Sequence, residues 1–434
     1  MAPSGLAWDT HACGGNRLVS IVTSPTLDGH LLQVLITPEG QADPYPYYTL
    51  MREEARVYRT SFGPYCVNGY AESQAVLRDP RLGRGTGIED TSTGIFGNDA
   101  GRRNEFFDVS QHNMLMADPP DHTRLRRLVS RSFTPRQVER LRPAIHELVG
   151  NLLDDLADRG DVGDVEFMSE FALPLPMAVI GELVGVPAED RAGLQPKVRA
   201  AARGIEPALA EEEIEAALAA IVELGAYFEA LLAERRRAPR DDLMSALAEA
   251  GENDDRLTDE EILSTAILLF SAGFETTTNL LGNGLLALLG QPEQLAEWKT
   301  HPEIAPTAVE ELLRFDSPVQ FNLRVALEPA ELAGEPLERG DRIVVLQGAA
   351  NRDPEEFDRP EELNLRRSPN APLSFGWGIH HCIGAALARI EGEIAFNALL
   401  ARFDSIELSD VAPAWRPGFT LRGLQSFPLR VAAH

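Results

Sequence analysis

The sequence predicts a mainly α-helical fold with small β-sheets, an α+β arrangement, and three observations carry that expectation. First, Thr258-Asp259-Glu260-Glu261 is a capping box, with a hydroxyl at the cap and a carboxylate three residues later. The stretch from Ile262 to about Leu289 behind it is apolar on nearly every face, which predicts a buried helix of roughly 40 Å at 1.5 Å per residue. Second, Pro135–Leu156 and Glu211–Arg237 repeat apolar residues at helical spacing. Third, Val57-Tyr58-Arg59-Thr60 and Pro64-Tyr65-Cys66-Val67, parted by Phe62-Gly63, read as two short strands. Short helices at Tyr48–Glu54 and Ala71–Leu77 flank them, so a small sheet is expected beside a helical body.

Composition narrows the function. The chain has 434 residues, 44% hydrophobic and 25% charged, with a formal net charge of −27. A nucleic-acid binder needs a basic footprint, so that class is excluded. Cys13, Cys66 and Cys382 are far apart and odd in number, which fits a reducing cytosol rather than a disulfide framework. The N-terminus lacks the basic-then-apolar pattern of a signal peptide. Leu18–Ile36 carries Pro25, Asp28 and His30, and the long helix carries Glu275 followed by Thr276, Thr277, Thr278 and Asn279. A central acid costs ~2.5–3.5 kcal/mol in a bilayer, so no membrane span is expected. A cytoplasmic monomer follows as the expectation.

Along the chain, residues 1–40 read as an irregular extension and residues 41–434 as one domain. Gly83–Phe107 reads as a long loop. Its Gly83-Arg84-Gly85-Thr86-Gly87 lacks the dinucleotide fingerprint and its strand–turn–helix frame. Pro119 and Pro120 mark a helix start that Asp118 or Asp121 could cap. His122 and Arg126, four apart, share a helix face, either holding a pair of carboxylates or lying solvated. Arg124, Arg127 and Arg131 form a basic cluster in an acidic protein, read as a docking face or a solvated one. Val165–Val184 brings Phe167, Phe171 and Leu173 to the core.

Within the long helix, Ala272-Gly273-Phe274-Glu275-Thr276 breaks local rules. An interior glycine costs about 1 kcal/mol against alanine, and a buried acid costs more unless partnered. Such a stretch is either a groove for dioxygen with a proton relay or a structural polar patch. Further on, Glu311 and Arg314 lie three apart on one helix, Ile343–Leu346 reads as a buried strand, and Phe419–Pro428 as a hairpin. Phe375-Gly376-Trp377-Gly378-Ile379-His380-His381-Cys382-Ile383-Gly384 runs directly into an apolar-periodic stretch ending near Phe403. A thiol at a helix mouth is favoured as thiolate, and the alternative reading is a buried, inert cysteine in a loop. Zinc is a poor fit, because adjacent His380, His381 and Cys382 cannot easily converge and no second ligand group follows.

That order, Phe-Gly-x-Gly-x-His-x-Cys-x-Gly, resembles the haem-binding loop of the cytochromes P-450, the haem-thiolate monooxygenases. The resemblance implies haem b between the long helix and this loop. Cys382 would be the axial ligand, Phe375 would pack near the iron–sulfur bond, His380 would face a propionate, and Gly384 would leave room. Asp118-Pro119-Pro120-x-His122-x-x-x-Arg126 is similar to the family's propionate helix, and Arg324 corresponds to a further propionate ligand. Ala272-Gly273-x-Glu275-Thr276 looks like the oxygen-activation motif. By that resemblance Thr276 hydrogen-bonds the oxygen being activated and Glu275 connects it to solvent protons. Glu311-x-x-Arg314 resembles the pair that locks the cysteine-side meander. The chain departs from the family at Pro360-Glu361-Glu362-Leu363, where an arginine is customary; Arg359, Arg366 and Arg367 are the candidate replacements.

The resemblance further implies a pocket lined by Phe106, Phe107, Leu268, Ser271, Ala272, Phe321, Leu323 and Leu424. It implies insertion of one atom of O2 into a lipophilic small molecule by hydroxylation or epoxidation. Candidate substrates are a secondary metabolite such as a polyketide or macrolide, or a steroid or terpenoid. Electrons from NAD(P)H would arrive through a separate ferredoxin and ferredoxin reductase docking near Arg124, Arg127 and Arg131. A peroxide-using peroxygenase is the alternative, and a non-catalytic haem sensor a weaker one.

Overall fold

Thr258 caps the helix on which the rest is assembled. Its Oγ1 accepts from Glu261 N at 3.2 Å, and the Glu261 carboxylate accepts from Thr258 N at 2.8 Å. The helix runs Asp259–Leu289, 31 residues or about 46 Å. The computed structural model describes residues 24–85, 112–160, 164–207, 209–252 and 255–433. Phe106, Phe107 and most of the 83–107 loop lie outside them.

Two apolar cores meet at this central helix. Its N-terminal half contributes Ile262, Phe270 and Phe274 to a cluster with the helices Asp121–Ser132, Pro174–Val184, Ala188–Arg203, Glu211–Arg237 and Leu243–Glu249. Its C-terminal half contributes Leu280, Leu281, Leu285 and Leu288 to a cluster with the helices Arg142–Gly160, Ala305–Phe315 and Ala385–Arg402. Glu211–Arg237 is the one described helix long and apolar enough to cross a bilayer. It turns Ile214, Leu224, Phe228 and Leu231 inward on the protein's own core.

The main sheet has five strands: β1 (Val57–Arg59), β2 (Tyr65–Val67), β3 (Leu82–Gly83), β4 (Asn322–Ala326) and β5 (Arg342–Val345), in the order β1-β2-β5-β4-β3. Only β2 and β5 pair in parallel. The β3–β4 register sets Gly83 against Val325, so Arg84 follows directly beside Arg324.

Four expectations are corrected. Residues 25–40 are not irregular: Ser24 caps a helix Pro25–Ile36, a second spans Pro38–Ala42, and Leu27, Leu31, Val34 and Leu35 are buried against Tyr45, Tyr48 and Met51. The 135–156 stretch is two helices, Pro135–Arg140 and Arg142–Gly160, because Pro143 has no N–H for the carbonyl four residues back. Asp118 does not cap its helix; its carboxylate accepts from Arg84 N at 2.7 Å and Gly85 N at 2.9 Å. The C-terminal hairpin pairs Ala414–Trp415 with Leu424–Ser426, which leaves Phe419–Leu421 in the connecting loop.

Candidate functional site

The cysteine loop holds its shape by glycine and by one backbone bond. Gly378 has φ +71°, and a Cβ there would stand 2.5 Å from Leu77 O, so only glycine passes the Tyr70–Arg78 helix. Cys382 N donates to Phe375 O at 2.9 Å, which closes the loop. The Cys382 sulfur is exposed on one side. Backbone N–H groups of Gly384 and Ala385, at the start of the Ala385–Arg402 helix, point at it. A Cβ on Gly384 would meet nothing but that sulfur, at 3.8 Å. Crowding by protein pushes the thiol up, against the pull of those N–H groups, Arg126 and Arg389. Desolvation by the protein alone opposes the expected thiolate, and a metal cation bound at the sulfur would favour it. Phe375 lies under the Arg389 guanidinium, 4.5 Å from its ring centre.

Beside this loop five nitrogen-bearing side chains converge from four segments. His122 and Arg126 come from the Asp121–Ser132 helix, Arg324 from β4, His380 from the loop and Arg84 from the end of β3. The His122 and His380 rings are 4.4 Å apart. Both ring nitrogens of His122, Nε2 of His380 and Nε of Arg84 are buried without a hydrogen-bond partner. Arg126 donates to His381 O at 2.7 Å, Arg324 to Leu323 O at 3.0 Å, and Arg84 to Asn322 Oδ1 at 3.0 Å. Burial, then Arg84, Arg324, His122 and Arg126, push His380 far below the usual histidine range. His122 is lowered by burial and by Arg126 and Arg84. Burial pushes Arg84 down to about 10 and Arg324 well down. Like charges this close are destabilising unless an anion joins them. Orphaned donors and cations of this kind fit the two carboxylates of a haem. Arg84 was passed over in the sequence as part of a glycine-rich loop; only the β3–β4 register brings it to Arg324.

On the central helix Leu268, Ala272 and Thr276, each four apart, form its least buried line. Thr276 Oγ1 donates to Ala272 O at 2.9 Å. Ser271 Oγ, beside this line, is buried without a partner. Gly273 lies off the line: a Cβ there would stand 2.6 Å from Ile180, so its first role is close packing of the Pro174–Val184 helix. Glu275, 3% exposed, turns away and is ion-paired with Arg416, with Arg199 Nε 3.7 Å from its other oxygen. Neither arginine was anticipated, since both come from distant segments.

Two expected pocket residues, Phe321 and Leu424, are packed in apolar clusters. Phe321 stacks on Phe419 with ring centres 4.7 Å apart, under the N-terminal helices. Leu424 is fully buried in the core around the C-terminal half of the central helix. Leu323 is half-buried, with its carbonyl taken by Arg84 and Arg324.

The meander arginine is resolved. Glu311 and Arg314 are fully buried and joined by two bonds of 2.7 and 2.8 Å. Arg367 supplies the third partner, with Nε 3.0 Å from Glu311 Oε2, and its other nitrogens hold Asp358 O and Glu362 O at 2.6 and 3.2 Å. Arg359 and Arg366 are exposed and pair with Glu362 and Glu297.

Comparison with known proteins agrees with this geometry. A family model described as Cytochrome P450 matches residues 212–421. The chain is 41% identical to the polyketide biosynthesis cytochrome P450 PksS of Bacillus subtilis, over 92% of this chain and 99% of that one. It is 40% identical to the cytochrome P450 monooxygenase PikC of Streptomyces venezuelae, over 90% and 91%. The solved structure of P450BioI in complex with acyl carrier protein ligated to hexadec-9-enoic acid superposes with a TM-score of 0.83 at 38% identity, covering 90% of this chain and 98% of that one. An open cysteine loop beside a patch of arginines and unpartnered histidine nitrogens, on a fold shared over nine-tenths of the chain, leaves one reading: the chain belongs to the cytochrome P450 family of monooxygenases.

Proposed function

We propose that Cys382 ligates the iron of haem b, that Arg84, His122, Arg126, Arg324 and His380 hold its propionates, and that Glu275 and Thr276 deliver protons while one atom of O2 enters a lipophilic substrate. The observation that carries this is the convergence of orphaned His122, His380 and Arg84 nitrogens beside an exposed thiol at a helix mouth.

Haem, when bound, supplies the activation of dioxygen. The chain's own residues do the rest. Arg84 and Arg324 would hold the propionates from the sheet, and His122 and Arg126 from a helix. Arg126 also braces the cysteine loop through His381 O. Thr276, its hydroxyl proton directed to Ala272 O, keeps oxygen lone pairs toward the open side of the helix. A proton received there lets the hydroxyl pass one on. Glu275 restocks the relay from the side of Arg199, whose side chain is 34% exposed.

The half-buried, mainly apolar Leu268 and Ala272 face suits a lipophilic ligand held by few polar contacts. The relationship to a P450 of polyketide biosynthesis supports a secondary metabolite such as a polyketide. Exposed Arg127 and Arg131, on the helix that carries His122 and Arg126, support docking of a separate acidic ferredoxin that is reduced from NAD(P)H by its reductase in the cytoplasm. Arg124 is a weaker part of that face, being ion-paired with Glu261.

The test is the absorption spectrum of the dithionite-reduced protein under carbon monoxide. The red-shifted Soret band of thiolate-ligated haem is expected, and Cys382→Ser should abolish it. A band of the imidazole-ligated kind in the wild type would sink the assignment.

A further inference from the structure

The Glu275 carboxylate is held from outside its own helix. Arg416 pairs with one oxygen and also donates to Asn279 Oδ1, one turn further along the same face. Arg416 begins the loop 416–423 that joins Ala414–Trp415 to Leu424–Ser426. That loop is strapped to the Ala188–Arg203 helix and the turn after it. Arg203 Nη1 donates to Pro417 O at 2.7 Å, and the Glu206 carboxylate accepts from Phe419 N at 2.7 Å and Thr420 N at 3.0 Å. It is tied to the central helix again where Asn283 Nδ2 donates to Arg422 O at 3.1 Å. The Glu275–Arg416 pair is thus the point where three segments, far apart in sequence, are fastened together.

We infer that Arg416 is a positioning residue for proton delivery: it holds the Glu275 carboxylate directed toward Arg199 and solvent. Displacement of the Ala188–Arg203 helix pulls on the same loop and so on the same carboxylate. This rests on the reading of Glu275 as the relay acid. Around the pair, the Ala188–Arg203 helix and its following turn present Arg199, Arg203 and Glu206. Glu166 lies toward Arg199, and the Pro174–Val184 helix presents the apolar Ile180. Of these groups Arg416 pairs with one Glu275 oxygen, and Arg199 Nε stands 3.7 Å from the other.

The experiment measures oxygen consumption by the holoenzyme against pH, driven by NADPH through a plant-type ferredoxin and its reductase, with infrared detection of the protonated Glu275 carboxyl. Glu275→Gln identifies the infrared band and is expected to slow oxygen consumption about tenfold or more. Arg416→Leu is expected to move the pH midpoint up by about one pH unit or more and to show protonated Glu275 at neutral pH. Arg416→Lys should restore both. If Arg416→Leu does not retain haem, Arg416→Gln, which removes the charge but keeps a donor for Asn279, is read the same way. Unchanged consumption in Glu275→Gln overturns the relay reading and the inference with it. A slow Glu275→Gln beside a wild-type midpoint in the Arg416 variants overturns the role of Arg416 alone.

Discussion

Replacing Arg367 by methionine tests the lock on which the cysteine-side meander hangs. Glu311 is fully buried and takes bonds from Arg314, Arg367, Asn370 Nδ2 at 3.1 Å and Asn364 N at 2.9 Å. The substitution removes one of two cations and frees the carbonyls of Asp358 and Arg359, leaving Glu362 O to Arg314 alone. Breaking a buried pair by removing one partner costs about 3–5 kcal/mol. At about 2.1 cal/mol/K per residue, the unfolding entropy of a 434-residue chain is about 0.9 kcal/mol/K, so Tm should fall by roughly 3–6 °C. Arg359→Met and Arg366→Met are the controls. Their side chains are 62% and 50% exposed, and such pairs contribute ~0–1 kcal/mol, about 1 °C or less. Arg367→Lys should fall between, because an ammonium cannot span a carboxylate and three carbonyls. Thermal unfolding of the wild-type and four variant holoproteins, followed by circular dichroism, decides it. An Arg367→Met protein melting with its controls would refute the argument.

Three further outcomes follow from single residues. Glu391, 1% exposed and with Oε2 unpartnered, is pushed up to about 8 by burial. The folded state holds this proton where the unfolded chain releases it near 4.5, so its contribution is fully present below about pH 4.5 and is lost as pH rises to about 8. That is on the order of 5 kcal/mol, and Glu391→Gln should show a flatter Tm–pH curve; parallel curves would exclude the effect. Thr276→Ala should release peroxide in place of product, read as peroxide formed per NAD(P)H consumed, and intact coupling would remove Thr276 from the relay. Arg84→Leu removes a charge-assisted bond of about 1.5–3 kcal/mol, so haem transfer to apomyoglobin should speed up about ten- to a hundredfold. An unchanged transfer rate would leave Arg84 with only its sheet-edge role.

What was legible in the sequence was local. The cysteine loop's parts are contiguous, and the capping box at Thr258 fixes a helix start within four residues. The N-terminal helix was legible too, and was misread: Ser24 and Pro25 form a start signal, and Leu27, Leu31, Val34 and Leu35 keep one face, but Gly29 and the neighbouring prolines suggested a tail. Arg84 and Arg416 were beyond reach, and Arg367 could not be told from Arg359 and Arg366, for a different reason. Each acts on a partner supplied by another segment, through a sheet register, a meander turn or a hairpin loop that no local pattern encodes. Phe321 and Leu424 show a related limit, since apolar residues near a site satisfy the core and a pocket equally well in sequence.

Glu275 and Thr276 show the same divide within one motif. Adjacent in sequence, they read as a unit, yet a helix turns successive residues about 100° apart. Thr276 therefore lies on the helix's least buried line with Ala272, while Glu275 lies against Arg416 and Arg199. A relay through both must pass around the helix rather than along it. Its solvent end is then set by the two arginines on other segments, and substitutions there should alter proton delivery without touching either residue of the motif.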